Sequence, residues 1–295
     1  MNGLIPFDDR DGTIWFNGKM MPWREAKTHI LCHGLHYASS VFEGERVYDG
    51  RVFKLREHSE RLIKSAEILD MKLPYTAEEL DEVTKDVVKA NDLSYGYVRP
   101  VAWRGSEQMA ISAQHTTIHV AIACWEVPKY FFPKGGADKG IALQTSAWRR
   151  PDPTTVPVQS KAAGVYMIGT IAKHKADRDG YDDVLMHDYK GRVAESSGSN
   201  IFFVTKDGSL KTPEPECFLN GITRQTVIQM CKEMDIPVEV GTIMPEDIKD
   251  FVEVFVTGTA AEITAVGKID DKEFPIGPVT RRIQDAYRDL VHQPS

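Results

Sequence analysis

The sequence has few of the features that mark secreted or membrane proteins. It contains only four cysteines, which are scattered and form no C-x-x-C pair, so a reducing compartment is favoured over a disulfide framework. No apolar run is long enough to cross a bilayer, and residues 1–9 lack the basic and apolar regions of a signal peptide. We therefore expect a cytoplasmic protein.

Positive charge is also scarce. The chain has 36 Lys and Arg against 43 Asp and Glu, which gives a formal net charge of -7. This acidic excess argues against nucleic acid or an anionic membrane as a partner, although a local basic pocket can still hold a phosphate. There is no internal repeat and no low-complexity tract. We expect small-molecule partners, with no nucleic acid and no membrane.

The length and the local patterns predict two domains of mixed helix and strand. A chain of 295 residues exceeds the usual size of one domain. The stretch after residue 127 is rich in Pro, Gly and Lys, which is typical of a linker. We place the linker at residues 130–138, between an N-terminal domain at 1–129 and a C-terminal domain at 139–295.

Turn and cap signals predict the first elements. Asn17-Gly18 and Asp49-Gly50 are typical of tight hairpins, and Thr76 followed by Glu79 forms a capping box at the start of a helix. Apolar spacing predicts a further helix at 56–70. The other predicted strands are 95–103, 117–125, 141–146, 183–186, 191–194, 200–205 and 252–257, and the other predicted helices run from the lysine segment to Arg178, over 223–234 and over 278–290.

One lysine has unusually small neighbours. Lys161 is followed by Ala162, Ala163 and Gly164, so a bulky molecule can approach its amine, and Tyr166 lies near the same face of a predicted helix. This arrangement suits an amine that forms an imine with an aldehyde, beside a phenol that bonds a ring oxygen. Considered alone, Lys161 is better explained as an ordinary solvated lysine that opens a helix, and the rest of the chain changes that balance.

Other stretches match the remaining needs of a pyridoxal phosphate site. Glu195, in a run of small residues at a strand end, suits the carboxylate that keeps the ring nitrogen protonated. The stretches 221–223 and 258–261 offer backbone N–H groups for a phosphate, and Arg61 offers a positive charge. Each of these also has an ordinary explanation: a surface glutamate, an N-cap, a tight turn and a surface ion pair.

Together these stretches resemble a known family. Six motifs occur in the order expected of branched-chain-amino-acid aminotransferases, the class IV, fold type IV pyridoxal phosphate enzymes, and they span nearly the whole chain. The motifs are HYASSVFEG at 36–44, YVRP at 97–100, KAAG at 161–164, ESSG at 195–198, GITR at 221–224 and TGTAAE at 257–262. The resemblance implies an α+β fold with a smaller N-terminal α/β domain and a larger C-terminal pseudo-barrel domain that binds the cofactor.

The resemblance also implies roles for the cofactor site. Lys161 is the catalytic residue, which bonds the cofactor and then moves a proton between it and the substrate α-carbon. Glu195 pairs with the ring nitrogen and Tyr166 with the ring hydroxyl oxygen. The phosphate is bound by Arg61 and by two backbone segments. The first segment is Gly221, Ile222 and Thr223, and the second is Gly258 and Thr259.

For the substrate, the resemblance implies that Tyr97 and the backbone of Thr259, Ala260 and Ala261 bind the α-carboxylate. Arg99 binds the side-chain carboxylate of glutamate. The apolar side-chain pocket is formed by Phe42, Tyr37, Ile111, Trp125 and Tyr130. The implied reaction is reversible transamination between leucine, isoleucine or valine and 2-oxoglutarate, in at least a homodimer, with Tyr37 and Ile111 reaching a neighbour's site.

Several alternatives stay open from the sequence. D-amino-acid aminotransferase, aminodeoxychorismate lyase and amine transaminase share the cofactor and the fold. A more remote alternative is a metal-binding protein, because His29, His33 and His36 follow the i, i+4, i+7 spacing of one helix face, with Cys32 alongside. Gly34 weakens that helix, and no H-E-x-x-H motif is present.

Overall fold

A computed structural model of the chain describes residues 5–127 and 139–293. Contacts divide the described residues into two compact units. The first unit takes residues up to 127 together with 160–164, and the second takes 139–159 and the residues from 165 onward. The lysine segment thus groups with the first unit, although most of its sequence neighbours belong to the second. The predicted linker at 130–138 and Tyr130 lie outside the described residues.

The first unit consists of one sheet and three helices. Its strands run in the order β2-β1-β7-β6-β4-β5, and β3 also pairs with β6. The strands are β1 Thr13–Phe16, β2 Lys19–Pro22, β3 Ser40–Phe42, β4 Glu45–Tyr48, β5 Arg51–Val52, β6 Gly96–Arg104 and β7 Ile118–Trp125. The helices are α1 His33–Tyr37, α2 Leu55–Ile68 and α3 Ala77–Ala90, with a 3-10 turn at Trp23–Glu25.

The turn and cap signals of the first unit act as predicted. Asn17 and Gly18 both have positive φ in the turn between β1 and β2, as do Asp49 and Gly50 between β4 and β5. Glu79 N donates to the Thr76 side chain while the Glu79 carboxylate accepts from Thr76 N, so the capping box of α3 is present. Both hairpins and this helix start are confirmed.

The second unit is built on a sheet that closes on itself. The order is β10-β9-β8-β15-β14-β11-β12-β13, and β10 also pairs with β11, so six strands form a ring. The strands are β8 Ile141–Thr145, β9 Asp183–His187, β10 Val193–Glu195, β11 Asn200–Val204, β12 Leu210–Pro213, β13 Val238–Gly241, β14 Glu253–Gly258, β15 Glu262–Ile269 and β16 Lys272–Glu273. The helices are α4 Met167–Arg178, α5 Ile222–Glu233 and α6 Pro278–His292, with 3-10 turns at Ala163–Tyr166 and Pro245–Asp250.

Apolar side chains from this ring form the core of the second unit. Leu143, Leu185, Ile201, Phe203 and Val266 come from four of its strands, β8, β9, β11 and β15, and each is fully buried. Closure of the sheet removes strand edges that would otherwise expose unpaired backbone groups. This barrel-like arrangement matches the predicted pseudo-barrel. Among the described residues, no helix combines the length and the apolar character needed to span a membrane.

Candidate active site

Lys161 lies on an extended segment that is anchored by backbone hydrogen bonds within the first unit. Its N–H donates to Ser65 Oγ on α2 at 3.0 Å, and its carbonyl accepts from the Phe42 N–H at 3.1 Å. The next residue, Ala162, forms an isolated antiparallel bridge with Val41. The backbone of the lysine is therefore held by β3 and α2 through contacts that do not involve the lysine side chain.

This anchoring corrects the prediction of one helix from the lysine to Arg178. Lys161 precedes a 3-10 turn at Ala163–Tyr166, and α4 begins only at Met167. The predicted shared helical face of Lys161 and Tyr166 is therefore wrong. The cause is tertiary: the lysine segment pairs with β3, and local spacing carries no sign of such a contact.

Four predicted substrate residues of the first unit lie together. The Arg99 guanidinium carbon lies 4.6 Å from the ring centre of Phe42, and its NH2 donates to the Tyr97 hydroxyl at 3.3 Å. The Tyr97 and Trp125 rings are 5.4 Å apart. Lys161 Nζ lies 4.9 Å from the Phe42 ring centre. An amine, a cation and three aromatic rings thus form one connected group.

Arg61 is held by a buried carboxylate. Its Nε and NH2 donate to the two oxygens of Glu43 at 2.6 and 2.7 Å, and His58 Nδ1 lies 2.7 Å from the same carboxylate. Burial alone would raise the Glu43 pKa, but Arg61 and His58 together hold it well below its usual range. Burial lowers the His58 pKa, against the opposing effect of Glu43. The orientation of the Arg61 guanidinium is therefore set by Glu43.

Tyr37 and Ile111 lie together on another part of the first unit. Both line an open pocket of about 470 Å³, where the Tyr37 ring stacks on His33 with centres 4.6 Å apart. Tyr37 is 43% exposed and Ile111 is 85% exposed. Such exposure of large apolar side chains is unusual for residues that line a substrate pocket of a single chain.

The histidines of the metal alternative do not share one helix face. α1 begins at His33, so His29 lies ahead of it. The ring nitrogens of His33 lie 2.6 Å from Ser39 Oγ and 2.9 Å from the Ala110 carbonyl oxygen. His36 Nε2 lies 2.9 Å from the Ile30 carbonyl oxygen. The predicted shared helix face of the three histidines is therefore wrong. Within residues 5–127 and 139–293 no group of three metal-ligating side chains occurs.

In the second unit, Glu195 is a buried carboxylate at the end of β10. It is 7% exposed, and its Oε2 accepts from Asn200 Nδ2 at 3.2 Å. Arg150 Nε lies 3.2 Å from the other oxygen, Oε1, in an ion-pair contact without the alignment of a hydrogen bond. Pairing of β10 with β11 sets Glu195 opposite Asn200. The strand ends therefore hold this carboxylate in one orientation.

Asn200 links this carboxylate to the first turn of α5. Its Oδ1 accepts from the Gly221 N–H at 3.1 Å, and its Nδ2 also donates to the Leu219 carbonyl. Gly221 is the N-cap residue, and a Cβ at this position would overlap Asn200 Oδ1. No described side chain caps the helix, so the first-turn N–H groups of Ile222 and Thr223 retain the capacity to bind an anion.

The turn between β14 and β15 lies beside this group, because β14 is the neighbour of β11 in the sheet. Thr257 pairs with Asn200 across β14 and β11, and Thr259, Ala260 and Ala261 form the turn, half-buried. Gly258 passes so close to Ser199 that an added Cβ would lie 2.9 Å from its Oγ. Thr257 Oγ1 is buried and has no hydrogen-bond partner among the described residues.

Tyr166 ends the 3-10 turn and immediately precedes α4. It lines a second pocket, of about 360 Å³, together with Gly169, Ser197 and Gly198. Gly169 packs against the backbone here, because an added Cβ would lie 2.6 Å from the Ser197 carbonyl oxygen. The loop that follows Glu195 therefore lies against the start of α4, the part of the second unit where Tyr166 is placed.

The predicted cofactor residues of the second unit fit pyridoxal phosphate. Glu195 supplies a buried carboxylate for a protonated ring nitrogen, and the uncapped first turn of α5 supplies N–H donors for a phosphate. Thr257 Oγ1, which has no partner among the described residues, offers a further polar group beside the close turn at Gly258. The donor set therefore contains both kinds of group that the charged parts of the cofactor require.

Three residues that the sequence did not indicate contact predicted site residues, each within its own unit. Asn200 bonds both Glu195 and Gly221, Arg150 neighbours Glu195, and Glu43 orients Arg61. Glu43 lies inside the motif at 36–44 and Asn200 lies two positions after the motif at 195–198, and this proximity was the signal that could have indicated them. Arg150 stands in a proline-rich loop and carried none.

The family model described as Amino-transferase class IV matches residues 40–269. The chain therefore belongs to the class IV aminotransferases. A probable branched-chain-amino-acid aminotransferase of Rickettsia conorii is 42% identical over 285 residues, which cover 95% of this chain and 96% of that protein.

Solved structures are similar over the same extent. The branched-chain aminotransferase of Thermobaculum terrenum in its PLP-form is 31% identical, with a TM-score of 0.87 over 95% of this chain and 94% of that one. A branched-chain amino acid aminotransferase from T.th., complexed with N-(5'-phosphopyridoxyl)-L-glutamate, is 38% identical, with a TM-score of 0.89 over 96% of this chain and 94% of that one. The predicted family, fold type IV and aminotransferase class are thereby confirmed.

Proposed function

We propose that this protein is a pyridoxal-phosphate-dependent branched-chain-amino-acid aminotransferase that exchanges amino groups between leucine, isoleucine or valine and 2-oxoglutarate. The observation that carries the proposal is the buried carboxylate of Glu195, joined through Asn200 to the uncapped first turn of α5. The names of the similar proteins support the amino-acid class. The PLP-form of the Thermobaculum terrenum enzyme supports the cofactor, and the phosphopyridoxyl-glutamate complex of the T.th. enzyme supports glutamate.

When bound, pyridoxal phosphate supplies an electron sink for the negative charge that develops on the substrate α-carbon. Glu195 keeps the proton on the ring nitrogen, and Tyr166 donates to the ring oxygen. The backbone of Gly221, Ile222 and Thr223, together with Gly258, Thr259 and Arg61, binds the phosphate. In this proposal each charged part of the cofactor meets a protein group of opposite polarity.

Lys161 carries the proton transfer. Its anchored backbone places Nζ near the Phe42 ring, which is one wall of the proposed substrate pocket. As a neutral amine, Nζ would move the proton between the substrate α-carbon and the cofactor. Because the backbone bonds fix only the start of this side chain, Nζ can move between these two positions.

The pocket formed by Phe42, Tyr97, Arg99 and Trp125 suits two kinds of substrate. The aromatic rings favour a branched aliphatic side chain, whereas Arg99 binds the side-chain carboxylate of glutamate. With an aliphatic substrate, the Arg99 charge still has the Tyr97 hydroxyl and the Phe42 ring as partners. Tyr97 and the turn at Thr259, Ala260 and Ala261 bind the α-carboxylate.

We further propose a homodimer in the cytoplasm. Exposed apolar side chains of one region of the first unit support the dimer, and the scattered buried cysteines support the reducing compartment. Tyr37 and Ile111 belong to this exposed region, and we propose that they reach a neighbour's side-chain pocket, while Tyr130 stays a proposed residue of the side-chain pocket. The division at residues 130–138 into a small N-terminal and a larger cofactor-binding domain stays part of the proposal.

Absorbance spectra of the purified protein test the proposal. We expect a visible band that bleaches when L-leucine is added and returns with 2-oxoglutarate. A band that ignores L-leucine but responds to D-leucine or to an amine would move the assignment to the D-amino-acid or amine enzymes of this fold. Absence of a band after pyridoxal phosphate has been supplied would contradict the cofactor itself.

Lys161→Ala tests the central residue. We expect the turnover to fall by roughly a thousandfold or more, because no other group replaces the amine. The fold should persist, because the hydrogen bonds that anchor this residue are made by its backbone. Lys85→Ala is the control, since Lys85 is an exposed lysine in an ion pair with Glu82. Turnover that survives in the Lys161 variant and is not wild-type contamination would refute the role.

A further inference from the structure

The first turn of α5 contains a buried cation whose hydrogen bonds, among the described residues, all go to neutral acceptors. Arg224 is 2% exposed, and its three donor groups bond Thr212 Oγ1 at 3.3 Å, Asn220 Oδ1 at 2.8 Å and the Pro213 carbonyl at 3.1 Å. Burial lowers the Arg224 pKa, and the charge of Glu214 offsets that effect only in part. The charge is thus solvated mainly by dipoles.

The position of Arg224 adds a second electrostatic cost. It is the third residue of α5, where the helix dipole is positive and a cation is disfavoured. The first turn contains no acidic residue, and no described side chain caps it. A nearby anion stabilises a buried cation at the positive end of a helix, and Glu214 offsets the cost of burying Arg224 only in part.

Arg224 also shapes the backbone that enters this turn. Its NH1 bonds the side chain of Asn220, which immediately precedes the N-cap residue Gly221. Gly221 is held from the other side by Asn200. The two contacts fix the segment that leads into the first-turn N–H groups.

We propose that Arg224 is a positioning residue for the phosphate group of the cofactor: its buried charge complements the phosphate, and its bond to Asn220 orients the first turn of α5. This inference rests on the proposed function. It assigns a phosphate-directed role to a side chain of the first turn, in addition to the backbone donors of that turn.

Cofactor affinity with and without the phosphate separates this role from a structural one. Apoprotein is titrated with pyridoxal phosphate and with pyridoxal, which carries the same aldehyde but no phosphate. We expect Arg224→Gln to reduce the preference for the phosphorylated form by roughly tenfold to a hundredfold. We expect Arg224→Lys, which keeps the charge, to retain most of the preference. Arg288→Gln, at an exposed arginine of α6, is the control for a change in net charge.

The thermal stability of the same variants gives an independent measurement. If the phosphate balances the charge, Arg224→Gln should shrink the increase in Tm that pyridoxal phosphate produces, whatever it does to the Tm of the apoprotein. Equal loss of affinity for both aldehydes, or an apoprotein of lower Tm with an unchanged cofactor increment, would show a structural role only and overturn the inference. Loss of the preference in Arg224→Lys would overturn the role of the charge. Failure of wild type to bind pyridoxal phosphate would instead overturn the proposed function, and this inference with it.

Discussion

Two buried carboxylates of the first unit, two positions apart, have pKa values shifted in opposite directions. Glu43 is fully buried but is bonded by both Arg61 and His58, so its pKa is well below the usual range. Glu45 is 1% exposed, and burial together with the charges of Glu43 and Asp81 raises its pKa well above the usual value. One Glu45 oxygen, Oε2, has no hydrogen-bond partner among the described residues.

The raised pKa of Glu45 predicts a dependence of stability on pH. A group whose folded-state pKa exceeds its unfolded value stabilises the fold at low pH, and this contribution is lost as the pH rises through the folded-state pKa. Glu45→Gln should therefore raise the free energy of unfolding at neutral pH by about 1 kcal/mol. The gain should vanish near pH 4, about the pKa of an unfolded glutamate. Denaturant unfolding at several pH values measures this, and a gain that is constant or grows toward low pH would contradict it.

At the scale of single residues, the sequence indicates which residue types the site needs better than it indicates which residues contact them. Lys161 and Glu195 were proposed because the chemistry requires an amine and a carboxylate, whereas Asn200 was passed over although it bonds Glu195 directly. The contact arises from the pairing of β10 with β11, which places the two residues opposite each other. Arg150 reaches Glu195 from a distant loop, so no spacing in the sequence indicated it.

Among the elements, α6 depends on a carboxylate supplied by a strand. Glu253 on β14 is 4% exposed, and its two oxygens accept from Val279 N at 3.3 Å and Thr280 N at 2.8 Å. These are first-turn N–H groups that have no partner within the helix. The approach requires a glycine at the N-cap, because a Cβ on Gly277 would overlap the Glu253 carboxylate.

Gly277→Ala should therefore destabilise the second unit. The added methyl group displaces Glu253 from the start of α6, and loss of a helix cap costs about 1 kcal/mol. With overpacking included, we expect a loss of about 2 kcal/mol. Thermal unfolding measures it, with Gly241→Ala as control, since a Cβ there lies at 3.4 Å from a flexible Glu239 side chain. Equal effects of the two substitutions would show that the cap contributes nothing.

Elements with strong local signals were predicted well, and those made by tertiary pairing were not. The hairpin turns and the capping box of Thr76 determine their own geometry. The sequence does not predict the short strands β12 and β13, because they pair in parallel and no turn signal lies between them. The sequence predicts a helix from the lysine segment to Arg178, but the hydrogen bonds of Lys161 to Ser65 and Phe42 hold its backbone outside any helix.

On the scale of the whole molecule, a group of exposed apolar side chains lies near α1 of the first unit. Ile30, Leu31, Leu35 and Ile111 are between 48% and 85% exposed, and all belong to the first unit, three of them at or near α1. Tyr37, at the end of α1, is 43% exposed. Exposed apolar residues this close in sequence are typical of a surface that associates with another chain. We expect this region to form part of the proposed dimer interface.

Leu35→Asp tests that interface. Leu35 is 67% exposed on α1, so the substitution costs the isolated chain little, but a dimer would have to bury an unpaired carboxylate. We expect the dimer dissociation constant to rise by roughly thirtyfold or more, measured by analytical ultracentrifugation over a range of concentrations. Val240→Asp, at an exposed valine of β13, is the control.

If Tyr37 and Ile111 complete a neighbour's pocket, transaminase activity should fall in step with the dimer fraction and recover at high protein concentration. Full activity in a monomeric Leu35 variant would place the whole substrate pocket within one chain.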